Sequence, residues 1–297
     1  MPIDAAKALA AEPRSGEISW DRKDVLLYHL GLGAGVPATD PDELRYTLES
    51  RLHVLPSFAT VAGNGSPGVI SGLSMPGVDV DLARVLHGGQ SLTLHRPIPV
   101  EGTATATGRI AAVHDKGKAA VLVMRTEVTD ADGPLWTNDA QIFVRGEGGW
   151  GGDRGPSSLP HSRLRSSGGT PTEPPAGEPD RTVEKRLRED QALLYRLSGD
   201  WNPLHADPEF AKVAGFDRPI LHGLCTYGIT LKAVVDTLLG GDVSRVRSYT
   251  TRFAGVVYPG ETLRIRMWRQ AGAVRVAVSA VERDDAPVLA DTVVEHS

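Results

Sequence analysis

A single cysteine, Cys225, stands in 297 residues, so no intramolecular disulfide can form and an oxidising compartment is not required. Basic residues are not in excess either. The 32 Lys and Arg against 37 Asp and Glu leave a formal net charge of −5, which gives no footprint for nucleic acid or an anionic membrane. Missing too is any apolar run near the roughly 18 residues of a membrane span. Asp4 comes early and no long apolar h-region follows it, so no signal peptide or anchor is expected and the cytoplasm is the expected compartment. The glycines at 31, 33 and 35 lack the third glycine of a dinucleotide fingerprint, and they close a helical pattern instead of opening one after a strand.

What remains is ordinary globular composition, 40% hydrophobic and 23% charged, over a length that suits two domains. Residues 146–180 are rich in Gly, Ser and Pro and read as a linker between residues 1–145 and residues 181–297. In the first half, 16–20 reads as a short strand, 24–30 as a helix, and 103–112, 119–129 and 135–144 as long antiparallel strands separated by turn signals at 115–117 and 130–133. After a helix at 224–239 that ends at Gly240-Gly241, the second half repeats strands over 246–257, 262–268, 274–278 and 288–294. The physical reading is α+β, a sheet wrapped on a helix. Residues 25–30 echo 192–197, and His87-Gly88 echoes His222-Gly223. No long helix follows His87-Gly88, so the first half reads as a degenerate duplicate with its central helix shortened or lost downstream of that dipeptide.

The densest chemistry lies in Leu197-Ser198-Gly199-Asp200-Trp201-Asn202-Pro203-Leu204-His205, followed by Pro219-Ile220-Leu221-His222-Gly223. Pro203 removes an amide donor and restricts Asn202, so Asp200, Asn202 and His205 sit on a loop. That loop hangs from a short helix over 190–197, with Asp190 as its expected N-cap and Gly199 as its stop. A carboxylate and an imidazole on one loop can work as an acid/base pair. The alternative is that Asp200 and Asn202 only cap the turn while His205 is surface. Gly223, in the first turn of the long helix, would leave backbone N–H groups approachable by an anion. Cys225 reads as an inert buried thiol. Asp200, His205, Asp207 and His222 lack a metal-binding spacing, and no metal is expected.

These two strings, from Tyr195 to His205 and from Pro219 to Gly223, resemble the hydratase-2 motif of the MaoC-like (R)-specific enoyl-CoA hydratases, in their two-domain branch. The resemblance implies a double hot-dog fold and reversible hydration of a trans-2-enoyl-CoA to an (R)-3-hydroxyacyl-CoA in fatty acid metabolism, with no cofactor and a homodimeric state. It also implies catalytic roles for Asp200, His205, Asn202 and Gly223, and substrate contacts from His87, Gly88, Lys116 and Phe253. Room left by the shortened helix would house a bulky acyl chain. The usual His-Gly-Glu-Gln departs here at Gly89, which leaves the role of that corner open. Two alternatives stand beside this reading: a thioesterase on the same fold, and a non-catalytic acyl-thioester-binding subunit.

Overall fold

The computed structural model describes residues 3–63, 76–80, 84–155 and 175–297. Each half contains a first strand, helical elements and then a run of four strands. The first has α1 (Ala5–Leu9), β1 (Arg14–Trp20), α2 (Arg22–Gly31), α3 (Leu44–Thr47), a 3-10 turn Pro56–Thr60, then β2 (Val85–Leu94), β3 (Gly102–Asp115), β4 (Ala119–Asp130) and β5 (Gly133–Arg145). The second has β6 (Arg181–Arg186), α4 (Gln191–Tyr195), 3-10 turns Arg196–Ser198 and Pro203–His205, α5 (Pro208–Val213), α6 (Gly223–Leu238), then β7 (Val246–Phe253), β8 (Thr262–Gln270), β9 (Ala273–Ala280) and β10 (Ala286–His296). All ten strands form one sheet in the order β1-β3-β4-β5-β2-β7-β10-β9-β8-β6.

The halves join edge to edge. β2 and β7 pair antiparallel from Gly89↔Arg252 to Thr93↔Ser248, and the Ser91 and Thr250 hydroxyls bond across the seam at 2.8 Å. Two sheet edges thereby vanish. Against one face of the sheet lies α6, whose residues 225–232 are all buried, and one core cluster runs without a break from Ile18, Tyr28, Phe58 and Trp136 to Tyr227, Leu231, Val235 and Ile265. Gly228 makes the closest approach possible: a Cβ there would stand 2.6 Å from both Leu32 Cδ2 and Tyr28 Oη, so only a glycine lets α6 settle against α2. Lys232 of α6 then reaches Glu43 and Asp236, each at 2.8 Å, above the Tyr46 ring. A smaller cluster on the opposite face of the first half gathers Ile3, Ala8, Val78, Leu122 and Ile142 under α1. Residues 119–124 are therefore buried on both faces and carry no polar alternation.

Some sequence expectations need correction. The element preceding the four-strand run is the 3-10 turn Pro56–Thr60, which occupies the place that α6 holds in the second half; the stub of the central helix lies upstream of His87-Gly88, and that dipeptide sits within β2. The His-Gly echo is thus coincidental in topology, because His222-Gly223 opens a helix and His87-Gly88 does not. Asp190 does not cap α4; its carboxylate is held by Arg188 Nε and Nη2, both at 2.8 Å. The helix also stops at Tyr195 and passes into a 3-10 turn before Gly199, at φ +117°, ends it. Strand β7 closes at Phe253, four residues short of the expected 257, because Ala254 and Gly255 turn to donate to Val288 O. Within 146–180, residues 149–152 fold back: Gly149, Gly151 and Gly152 join Gly117 in donating backbone N–H groups to the Asp115 carboxylate. The Gly149 bond leads the four in holding that carboxyl down to about 2. Residues 156–174 of that stretch lie outside the described residues.

Candidate active site

The loop carrying Asp200 is built from short-range bonds. Asp200 Oδ1 accepts from Asn202 N at 3.2 Å, and Asn202 Oδ1 accepts from Leu204 N at 3.0 Å, which caps the turn Pro203–His205. Asn202 is itself exposed, and its carbonyl oxygen is taken by this capping bond. His205 points inward. Its Nδ1 lies 2.8 Å from Ile220 O, and since a carbonyl only accepts, Nδ1 carries the proton and Nε2 keeps its lone pair. Burial lowers the pKa of His205, against the opposing pull of the Asp200 charge and the Ile220 carbonyl, so the imidazole is neutral at pH 7.

His222 sits beside it with the rings stacked, centroids 3.8 Å apart at 30°. The next residue, Gly223, begins α6, where the first N–H groups have no intrahelical acceptor and the helix dipole is positive. A Cβ on Gly223 would meet the Phe253 ring at 3.1 Å, so the glycine lets that ring close over the helix start. From the first half, His87 meets the same ring edge-on at 4.9 Å. A β-bulge between His87 and Gly89 makes this contact by leaving Gly88 out of register with β5. Loss of hydration lowers His87 to about 4, with Asp200 among the groups that oppose it. Asp200, His205, Gly223, Phe253 and His87-Gly88 therefore converge from both halves. Lys116 is not brought there. It lies at the β3–β4 turn, with β5 between β4 and β2 in the sheet, and its ammonium group donates to Arg154 O.

Residues 18–146 match the MFE-2 hydratase 2 N-terminal domain, and residues 167–287 the MaoC-like domain. "Enoyl-CoA hydratase ChsH3" of Mycobacterium tuberculosis is 46% identical over 97% of this chain and 97% of its own. "Enoyl-CoA hydratase 2, peroxisomal" of Arabidopsis thaliana is 40% identical over 90% of this chain and 87% of its own. The chain belongs to the MaoC-like hydratase 2 family. Among solved structures, a MaoC-like dehydratase from Phytophthora capsici superposes with a TM-score of 0.86 at 29% identity, over 99% of this chain and 98% of its own. The fold of this MaoC-like protein is the α+β double hot-dog, and it is an enzyme, a hydro-lyase.

Asp200, His205 and His222 each offer a ligand atom within 4.8 Å of the others. Asp207, the fourth residue of that sequence neighbourhood, is spent capping α5, which leaves three donors. Cys225 is fully buried, donates to Gly31 O at 3.6 Å, and has its thiol pushed up by burial; it is no nucleophile. Sequence reasoning missed the polar chain behind His87. The imidazole Nε2 lies 3.1 Å from Gln90 Oε1, Gln90 Nε2 donates to Asn138 Oδ1, and Asn138 Nδ2 donates to Ala59 O. Asn138 lies 51 positions after His87, and nothing local to either residue signals the link.

Proposed function

We propose that this protein catalyses the reversible hydration of a trans-2-enoyl-CoA to an (R)-3-hydroxyacyl-CoA in fatty acid metabolism. One observation carries the reading: a half-buried carboxylate and a neutral imidazole whose Nδ1 is engaged by Ile220 O stand within 4.8 Å of His222, the residue before Gly223 at the start of α6. Conjugation with the thioester makes C3 electrophilic, and adding water there pushes charge onto the carbonyl oxygen. Gly223 N–H stabilises that charge, a contribution of typically about 10²–10³ in rate. His205 Nε2 takes a proton from a water that Asp200 orients, and the C3–O bond forms. The proton is then delivered to C2 from the same Asp200–His205 pair, so that H and OH are both added and the pair returns to its starting state. No redox step or cofactor is required. Asn202 supports the loop as its cap, and His87, Gly88 and Phe253 wall the thioester.

A cytoplasmic location is part of the proposal, since the lone buried Cys225 requires no oxidising compartment. The homodimer is also part of the proposal. Sedimentation at about twice the 31.7 kDa chain mass supports it, and a sedimenting mass of one chain overturns it. To test the activity, the protein is incubated with a trans-2-enoyl-CoA while loss of the conjugated absorbance and release of thiol are followed together. Absorbance loss with no thiol, and an (R) product on chiral analysis, is the expected result. Thiol release at the same rate would identify a thioesterase instead.

A further inference from the structure

His222 stands where the parts of the site meet, yet the proposed chemistry does not use it. Its ring is packed between Tyr195, centroids 5.0 Å apart, and His205, 3.8 Å apart. Its Nε2 lies 3.2 Å from the backbone carbonyl of Asp200. A carbonyl cannot donate, so this bond selects the Nε2–H tautomer and leaves Nδ1 bare. Nδ1 is buried without a partner among the described residues, and the side chain is 1% exposed. Burial first, and then the neighbouring His205, push the pKa of this imidazole down to about 3. The ring is therefore a neutral donor throughout the working range.

The loop needs such an anchor. Around Asp200 the segment is held by local bonds, from Asn202 N to Asp200 Oδ1 and from Arg196 Nη2 to Trp201 O, while the ties to residues 220–222 come from Leu204, His205 and the Asp200 carbonyl; Trp201 and Asn202 face solvent. Gly223, next in sequence to His222, opens α6. We infer that His222 is a positioning residue for the acid/base pair: it clamps the Asp200 backbone to the start of α6 and backs the His205 ring, so that carboxylate, imidazole and the Gly223 N–H keep one spacing. The inference rests on the roles proposed above for Asp200 and His205. A misplacement of about 1 Å in such a constellation costs on the order of 10² in rate.

The test combines two variants with measurements that need no turnover. His222→Phe keeps a flat ring but cannot donate; His222→Gln keeps an N–H donor at similar reach. Expected for His222→Phe is a fall of about 10² in kcat with KM within about threefold, and at least about tenfold faster amide exchange over 199–205, with β7–β10 unchanged. His222→Gln should recover kcat to within about tenfold of the parent. In the unaltered protein, ring nitrogen shifts should show His222 as the neutral Nε2–H tautomer at pH 7. An Nδ1–H tautomer, or a His222→Phe variant with unchanged kcat and unchanged exchange over 199–205, overturns the inference. So does faster exchange spread evenly over the sheet, which marks a merely structural residue. If the unaltered protein hydrates no enoyl-CoA, the proposed function fails, while tautomer and loop exchange still decide the role of His222.

Discussion

At the scale of single residues, protonation decides what the site can do. His205 is the group whose lone pair matters, and burial lowers its pKa below the ordinary imidazole value. The acid limb of kcat/KM should therefore lie below about pH 6.5; a limb at or above that value would contradict a buried neutral base. Asp200→Asn and His205→Ala should each lower turnover by at least about 10². Near-normal turnover in either variant would remove that residue from the mechanism. Stability carries a second pH signature. His29, held between Tyr46 O and Leu55 N, and His222 are both lowered to about 3 by burial. Unfolded imidazoles take up protons near pH 6.5, so the unfolded chain binds more protons between about pH 6.5 and 3. The contribution of each histidine is complete above that window and is lost as pH falls through it, at up to about 1.4 kcal/mol per pH unit. Urea midpoints measured from pH 7 to 4 should fall less steeply in His29→Gln.

Among the elements, α6 carries the greatest load because it is buried along most of its length. Leu231 has no exposed surface, and Leu231→Ala should cost about 2–5 kcal/mol through lost transfer energy and the cavity left behind. Gly228→Ala tests the opposite fault. The added methyl meets Leu32 and Tyr28 at 2.6 Å and should cost about 1–3 kcal/mol by overpacking, although alanine is the better helix former. A Gly228→Ala variant with a raised denaturation midpoint would show that α2 can yield. The boundaries of α6 were legible from apolar spacing and from Gly240-Gly241, since a helix reports its own period. The short elements were not. α1, α3, α5 and β6 span only four to six residues each, too few for a period to stand out, and β6 is an edge strand whose exposed face is charged.

For the whole molecule, the shared core and the β2–β7 seam predict that neither half is sufficient. Residues 181–297 alone hold Asp200, His205 and Gly223, but they would expose β7 as an open edge, lose His87 and Gly88, and uncover the face of α6 that packs on Tyr28 and Phe58. The fragment should be poorly soluble or nearly inactive, and co-expression with residues 1–145 should restore activity if the stretch between them serves as a tether. A soluble fragment 181–297 with full activity on a long-chain substrate would take the first half out of the site.

Taken alone, the sequence determined the α+β class, most of the strands, the placement of Asp200 and His205 on one loop, and Gly223 at a helix start, because each of these is written in spacings of a few residues. Tertiary structure decided what those residues face. It put the helix stub at Pro56–Thr60 and not after His87-Gly88, brought His87 against Phe253 across a separation of 166 positions, left Lys116 at the β3–β4 turn beyond β5, and turned His222 onto the Asp200 carbonyl. The physical reason is that periodicity records which face of an element is buried but not what buries it. The partner is selected by packing and hydrogen bonding between segments far apart in the chain, where a local pattern carries no trace.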